Sequence, residues 1–326
     1  MFSRDVLRLD AARVAADIES AIRSQVQDVL HRRGVVVGLS GGIDSSVVTT
    51  LCVRALGSER VTVVLMPERD SSGDSLKLGK LLADQLDVDA IEEDLTPALA
   101  AVGCYSRQEQ AIRAVCPEYG PGYRSKVVLP SILERNRINV AQLTIETDRG
   151  DQRTTRIPPE AYRQIVAATN FKQRLRKIVE YYHADRLHYA VAGTPNRLEY
   201  DQGFFVKQGD GAADLKPIAH LYKTQVYALG DYLGLPSDIR QRRPTTDTFS
   251  LPQTQEEFYF ALPYEAMDLC LYGRNHGIAA EEVAAALDLT SAQVERVYKD
   301  IDQKRRTTRY LHMKPLLTEP VSEVSI

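Results

Sequence analysis

The chain has 326 residues, a net charge of −3 and 4 cysteines, with 44% of its residues hydrophobic. That length buries an ample core in one extended α/β domain or two smaller ones, and the near-balanced, slightly acidic charge argues against a nucleic-acid or membrane-surface protein. So few cysteines do not make a disulfide scaffold, Cys104 and Cys116 are not spaced like a zinc pair, and neither a secretory signal nor a bilayer-length apolar run is present. The expected compartment is therefore the reducing cytoplasm.

Along the chain, Val14, Ile18, Ile22, Val26 and Leu30 recur at helical spacing, which predicts a helix from about Asp10 to Arg33. Val35 to Val37 read as a buried strand, and Gly38-Leu39-Ser40-Gly41-Gly42-Ile43-Asp44-Ser45-Ser46 turns it into a helix carrying Val47, Val48, Leu51 and Leu56. A strand, a glycine turn and a helix N-terminus together make an anion site, because free backbone N–H groups and the helix dipole point at it. The turn is neither a Walker P-loop nor a dinucleotide fingerprint, since Lys-Ser/Thr and Gly-x-Gly-x-x-Gly are both missing. Asp44 would repel bare phosphate, so its presence suggests a bridging Mg²⁺. The competing reading is an ordinary glycine turn whose Asp caps the helix.

Val61 to Met66 predicts the second buried strand, Asp74 or Ser75 opens the next helix, and Val88 to Ile91 reads as a short third strand. Glu92, Glu93 and Asp94 read as a solvated edge. This alternation predicts a doubly wound parallel sheet with its ligand at the carboxyl ends of the strands. From about 100 to 168 the pattern loosens. A helix through Ala111 to Val115 precedes breakers at Pro117, Gly120, Pro121 and Gly122. Ile138 to Thr147 then meets Gln152 to Ile157 across a glycine turn, which predicts a β-hairpin closed by Pro158-Pro159. Such an insertion serves as a lid, a dimer arm or a substrate-selecting wall, and the sequence does not choose.

A long helix is expected from about Asn170 to Leu187. Its Lys172, Arg174, Arg176 and Lys177 read first as a solvated face and second as cations that neutralise phosphates or a substrate carboxylate. Tyr189 to Ala192 predicts the fourth strand. It runs into Gly193-Thr194-Pro195-Asn196-Arg197-Leu198-Glu199, then Lys207-Gln208-Gly209-Asp210-Gly211-Ala212-Ala213-Asp214 and Leu221-Tyr222-Lys223-Thr224-Gln225. Asp210 and Gly211 read equally well as a turn. Residues from about 240 to 257 are polar and suit a mobile lid, although a plain long loop is the alternative. Two short helices from about Ile278 to Arg305 look like a helix-turn-helix, but packing against the core or a partner copy is the favoured reading because Glu295 would face phosphate.

Ser-Gly-Gly-x-Asp-Ser resembles the pyrophosphate loop of the ATP pyrophosphatases. With Gly193-Thr194…Glu199, the Lys207–Asp214 stretch, Leu221-x-Lys223-x-Gln225, Pro244-Thr245-Thr246-Asp247 and Lys304-Arg305, the set resembles the NAD synthetase family. The resemblance implies an adenine nucleotide alpha-hydrolase-like α/β fold, a single domain over 1–326, a lid at about 240–257 and C-terminal helices at about 263–309. It implies an ammonia-dependent, AMP-forming ligase that adenylates deamido-NAD, releases pyrophosphate and aminates the adenylate to NAD. It implies Mg²⁺ on Asp44 and Glu199, and catalytic roles for Lys207, Asp214 and Lys223. ATP would meet Gly38, Ser40, Gly41, Gly42, Asp44, Ser45, Ser46, Met66, Thr194, Lys223 and Thr245. The carboxylate substrate would meet Arg174, Asn196, Lys207, Asp214 and Lys304. A homodimer is implied, and no glutaminase domain precedes the loop, so the nitrogen source is free ammonia or a separate glutaminase partner.

The sequence departs from the family pattern at Gln303, where a His is usual, at Phe260-Ala261 before Tyr264, and at Thr246 in the lid. These departures fall where a substrate is selected, so amidation of another small carboxylate is the alternative substrate reading. A DNA-binding regulator and a non-catalytic scaffold are the alternatives of other classes; retention on DNA that falls with salt would mark the regulator.

Overall fold

The computed structural model describes residues 2–133, 140–246 and 248–324. After α1 (Ala11–Ser24) the helix widens to a π turn at Gln25–Val29, and β1 (Val35–Gly38) follows. Next come α2 (Ile43–Leu56), β2 (Val61–Leu65), α3 (Gly73–Leu86) and β3 (Asp89–Glu92). The inserted region supplies α4 (Thr96–Ala101), α5 (Cys104–Arg113), β4 (Arg124–Val128), β5 (Gln142–Glu146) and β6 (Gln152–Arg156). The chain returns through α6 (Pro159–Leu187), β7 (Ala190–Ala192), α7 (Arg197–Gln202), α8 (Lys223–Tyr232) and α9 (Ser237–Gln241). It ends in α10 (Tyr264–Asn275), α11 (Ala280–Leu287) and α12 (Ser291–Thr308).

The main sheet is parallel in the order β3-β2-β1-β7, and a further parallel bridge joins Ala192 to Leu215. Strand alternation divides its valines between two layers. Val35 and Val37 face α1, α2 and α8 through Ile22, Leu51 and Leu229, whereas Val36 packs with Val64, Val191 and Ala184 against α6. The doubly wound reading therefore holds. The chain moves outward from β1 to β3 and then returns to β7 on the other side of β1. That reversal opens a crevice at the carboxyl ends of β1 and β7, where ligands bind in such sheets.

Two expectations change. The insertion is a three-stranded antiparallel sheet, β4-β5-β6, rather than a lone hairpin. Ile138, part of the expected hairpin, lies outside the described residues. The long helix begins at Pro159, not near Asn170, because proline suits a first helical turn whose N–H would be unpaired anyway. The C-terminal helices pack on the protein itself. Val283, Val294, Val297 and Ile301 are buried with Phe260, Met267 and Leu271, and Arg305 is held by Asp201 at 2.6 Å. Among the described residues, no helix is long and apolar enough to cross a membrane.

Candidate active site

Three loops meet at the crevice. The first, Ser40–Ser46, is shaped from within. Ser40 Oγ lies 3.1 Å from Ser45 Oγ and accepts from the Gly42 N–H at 3.3 Å, and Ser45 Oγ donates to the Gly42 carbonyl at 3.1 Å. Gly41 has a φ of +69°, and a Cβ there would stand 2.7 Å from the Ser75 carbonyl oxygen. Glycine thus seats the loop against the start of α3. No side chain caps α2 at Gly42, so its first turn keeps an anion-binding character, with Asp44 at its edge.

The second loop follows β7. Asn196 and Glu199 cap α7 reciprocally: Asn196 Oδ1 accepts from the Glu199 N–H at 3.2 Å, and Glu199 Oε2 accepts from the Asn196 N–H at 3.0 Å. The Asn196 amide also donates to Asp44 Oδ1 at 3.0 Å. Asn196 therefore holds the two carboxylates beside one another across the topological break. Lys223, fully buried at the start of α8, places Nζ on Asp44 Oδ2. Asp268 fixes that helix start by accepting from the Lys223 and Thr224 N–H groups at 3.2 and 2.7 Å.

Charge is tightly balanced here. Burial, and next the neighbouring Asp44, push the Glu199 carboxyl up to about 8. Burial opposes the charge on Lys223, but Asp44 and Glu199 outweigh it and raise its affinity for the proton. Two adjoining carboxylates of which one resists ionisation are suited to a hard divalent cation with oxygen ligands. No group of three or more metal-ligating side chains exists among the described residues, so such an ion would also need ligands from substrate or water.

A cavity of about 490 Å³ runs from these loops along α6 to the lid. Gly38, Ser40, Gly42, Asp44, Ser45, Met66, Thr194, Glu199, Arg174, Lys207 and Thr245, residues the resemblance assigns to ATP, the carboxylate or Mg²⁺, line it. The other expected residues do not reach its wall. Gly41 and Ser46 are buried within the loop, Ser46 wholly so. Asn196 and Lys223 act on the cavity through Asp44. Asp214 is engaged on the sheet: Oδ2 accepts from the Val191 N–H at 2.7 Å and Oδ1 from the Tyr181 hydroxyl at 3.2 Å. Lys304 is turned inward, paired with Asp300 at 2.7 Å and donating to the Tyr259 carbonyl at 2.9 Å. Asp247 of the lid motif lies outside the described residues.

The structure adds residues that sequence reasoning passed over. Glu180 lines the cavity behind Gly38, where a Cβ would stand 2.7 Å from its Oε1, and it pairs at 2.6 Å with Lys177, one of the cations the sequence reading did consider. Arg242 and Arg243 bring the lid's charge to the cavity, and Phe204, Phe205, Phe258 and Tyr259 give it an aromatic wall. Lys207 Nζ donates to the Tyr310 carbonyl at 2.8 Å, which draws the C-terminal segment onto the opening. The expected solvated face on α6 is corrected in part: Lys172 and Lys177 are buried, while Arg174 is exposed.

A parallel sheet with an anion loop, a cation-seeking carboxylate pair and a buried lysine at its switch point defines an α/β enzyme that handles a nucleotide. The family described as NAD synthase matches residues 14–117 and 131–310. An NH(3)-dependent NAD(+) synthetase of Mesorhizobium japonicum is 63% identical over 318 residues, covering 98% of this chain and 100% of its own. One from Thermotoga neapolitana is 36% identical over 294 residues, covering 89% and 92%. Among solved structures, the NH3-dependent NAD synthetase of Campylobacter jejuni aligns with a TM-score of 0.61 at 21% identity, over 95% of this chain and 100% of that one. An NMN synthetase from Francisella tularensis aligns with a TM-score of 0.65 at 22% identity, over 95% and 99%. At those identities the structural likeness speaks to the fold. The chain belongs to the NAD synthase family.

Proposed function

We propose that this chain is an ammonia-dependent NAD synthetase working as a single domain in the cytoplasm. It joins the carboxylate of deamido-NAD to AMP from ATP, releases pyrophosphate, and lets ammonia displace AMP to leave the amide of NAD. The observation that carries this reading is the near full-length 63% identity to a relative of that name, with the anion loop and the Asp44–Glu199 pair intact at one cavity.

The residues divide the work. The Ser40–Ser46 loop and the start of α2 receive the departing pyrophosphate. Asp44 and Glu199 hold Mg²⁺, which when bound neutralises phosphate charge and orients the leaving group. Lys223 holds Asp44 in position, and its ammonium adds positive field at the α-phosphate. Arg174 and Lys207, on the cavity wall, hold the carboxylate substrate. Asp214 supports β7 from behind the cavity, and Lys304 supports the Tyr259 wall. The lid excludes water from the adenylate, which water would otherwise hydrolyse. A second copy of the chain is the proposed partner. Ile178 and Tyr182, one turn apart on α6 and 64% and 62% exposed, support that reading.

The test is AMP and pyrophosphate release from ATP, Mg²⁺ and ammonium, with and without deamido-NAD, and NAD measured by mass. Deamido-NAD-dependent AMP with an equal yield of NAD is expected. A folded, ATP-binding protein without turnover would sink the reading and direct the search to another small carboxylate.

A further inference from the structure

The lid and the inserted sheet are far apart in sequence and joined in space. The outer edge of β4 receives the lid. The Leu251 N–H donates to the Ser125 carbonyl at 3.1 Å, and the Ser125 N–H donates to Ser250 Oγ at 2.9 Å. Gln253 Nε2 donates to the Val127 carbonyl, and its Oε1 accepts from Thr246 Oγ1 at 3.0 Å. Just past β4, the Leu129 N–H donates to the Glu257 carbonyl at 2.8 Å, while Lys126 pairs with the Glu257 carboxylate at 3.1 Å. Phe249, 4% exposed, is packed into the insertion's own core with Val127, Leu143 and Ile165. An edge strand offers unpaired backbone groups, and here the lid uses them.

A second connection lies at Lys172 of α6, which is fully buried. An ammonium has three N–H donors, and all three are engaged. They go to Glu68 Oε1 at 3.0 Å, Asp70 Oδ2 at 2.6 Å and the lid's Thr248 carbonyl at 2.8 Å. Tyr105 of α5 donates its hydroxyl to Glu68 Oε2 at 2.9 Å, and Arg69 stacks over that ring at 3.8 Å while bonding Asp70 at 3.2 Å. The insertion, the loop after β2, α6 and the lid thus converge on one buried cation. Thr248 is the lid's share. Lifting the lid leaves one buried N–H without its acceptor, a bias of about tenfold toward closure.

We infer that the inserted sheet is the dock on which the lid closes, and that Lys172 is a positioning residue that fixes the closed lid to the loop after β2. Ser71 and Ser72 of that loop and Thr245 and Thr246 of the lid face the same cavity, so the connection sets the distance between two of its walls. The consequence for catalysis rests on the synthetase reading: a closed lid keeps the adenylate for ammonia, and a loosened one admits water.

Two variants of the full-length chain test this, Ser250→Ala and Gln253→Leu, beside the charge-conserving Lys172→Arg. The first readout is tryptic cleavage after Arg242, located by mass, which follows the population of the open lid without requiring turnover; the bond after Arg243 is protected by Pro244. Cleavage about tenfold faster than wild type is expected in all three, with the circular dichroism spectrum retained. The second readout is AMP formed per NAD, expected to stay near one in wild type and to rise severalfold in the variants. Variants that keep their fold and are cleaved at the wild-type rate overturn the inference. A wild type that makes no AMP from deamido-NAD removes the synthetase reading, while the cleavage rates still decide the dock. Faster cleavage with an unchanged AMP-to-NAD ratio overturns the catalytic half.

Discussion

Asn196 spans two jobs with one side chain. Its oxygen closes the cap of α7, and its amide steadies Asp44. Asn196→Asp keeps the cap oxygen but sets a third carboxylate against Asp44 and Glu199. NAD formation is expected to fall about a hundredfold, with higher Mg²⁺ restoring part of it, as initial rates across a Mg²⁺ titration would report. Lys223→Met removes a wholly buried cation and leaves Asp44 without its ion-pair partner, held by Asn196. The expected cost is about 3–5 kcal/mol of stability in urea unfolding. Mg²⁺ should stabilise this variant more than wild type, because the ion replaces the lost positive charge; equal stabilisation would count against metal binding at this pair. Lys172 shows why some site residues were not legible. A lysine in a run with Arg174 and Arg176 defaults to solvent, and its burial is explained by Glu68 and Asp70 from a distant loop and by the lid's Thr248 carbonyl.

Among elements, the loop before α2 tolerates little change. Gly41→Ala would force an L residue to φ near +69° and press its Cβ on the Ser75 carbonyl. A loss of about 1–2 kcal/mol and weaker ATP binding are expected, measurable by urea midpoint and calorimetric titration. Strand β1 and this loop could be read directly, because a β-branched run ending at glycines has few alternatives. Strand β4 could not. Arg124-Ser125-Lys126-Val127-Val128 is short and mostly polar, follows a cluster of turn formers, and owes its place to β5 on one side and the lid on the other. Pro159 was likewise ambiguous: a proline pair ends a hairpin as readily as it starts a helix, and the distant packing of Ile165 settles which. Asp214 illustrates the reverse case. Its motif points to chemistry, and its carboxylate is tied to Val191 and Tyr181.

Across the whole molecule, the raised carboxyls set a pH dependence. The Glu199 carboxyl stands at about 8 and Asp268 at about 6, burial being the first cause for each, against ordinary values of 4.5 and 3.8. At these two groups the native state therefore holds more protons than the unfolded chain between about pH 4 and 8, while His220 and His312, lowered by burial, act in the opposite sense at about pH 6. Stability is expected to fall as pH rises through that window and to level off above it. Urea midpoints at pH 5.5, 7 and 8.5 would check this, and Glu199→Gln should remove the decline between the upper two. At the proposed metal site Mg²⁺ would compete with the Glu199 proton, so its stabilising effect is expected to grow toward the alkaline end.

The pairing of Val35 with Ala190 has a consequence for how the protein is made. Strand β1 leaves the ribosome early, and its β7 neighbour is synthesised only after the whole insertion and α6. Through that interval one edge of the apolar strand that centres the sheet stays unpaired, able to recruit a neighbouring nascent chain. The danger of aggregation therefore belongs to translation and ends when Ala190 emerges, so a slow stretch of message across the insertion should lower soluble yield while leaving the finished enzyme as stable as before.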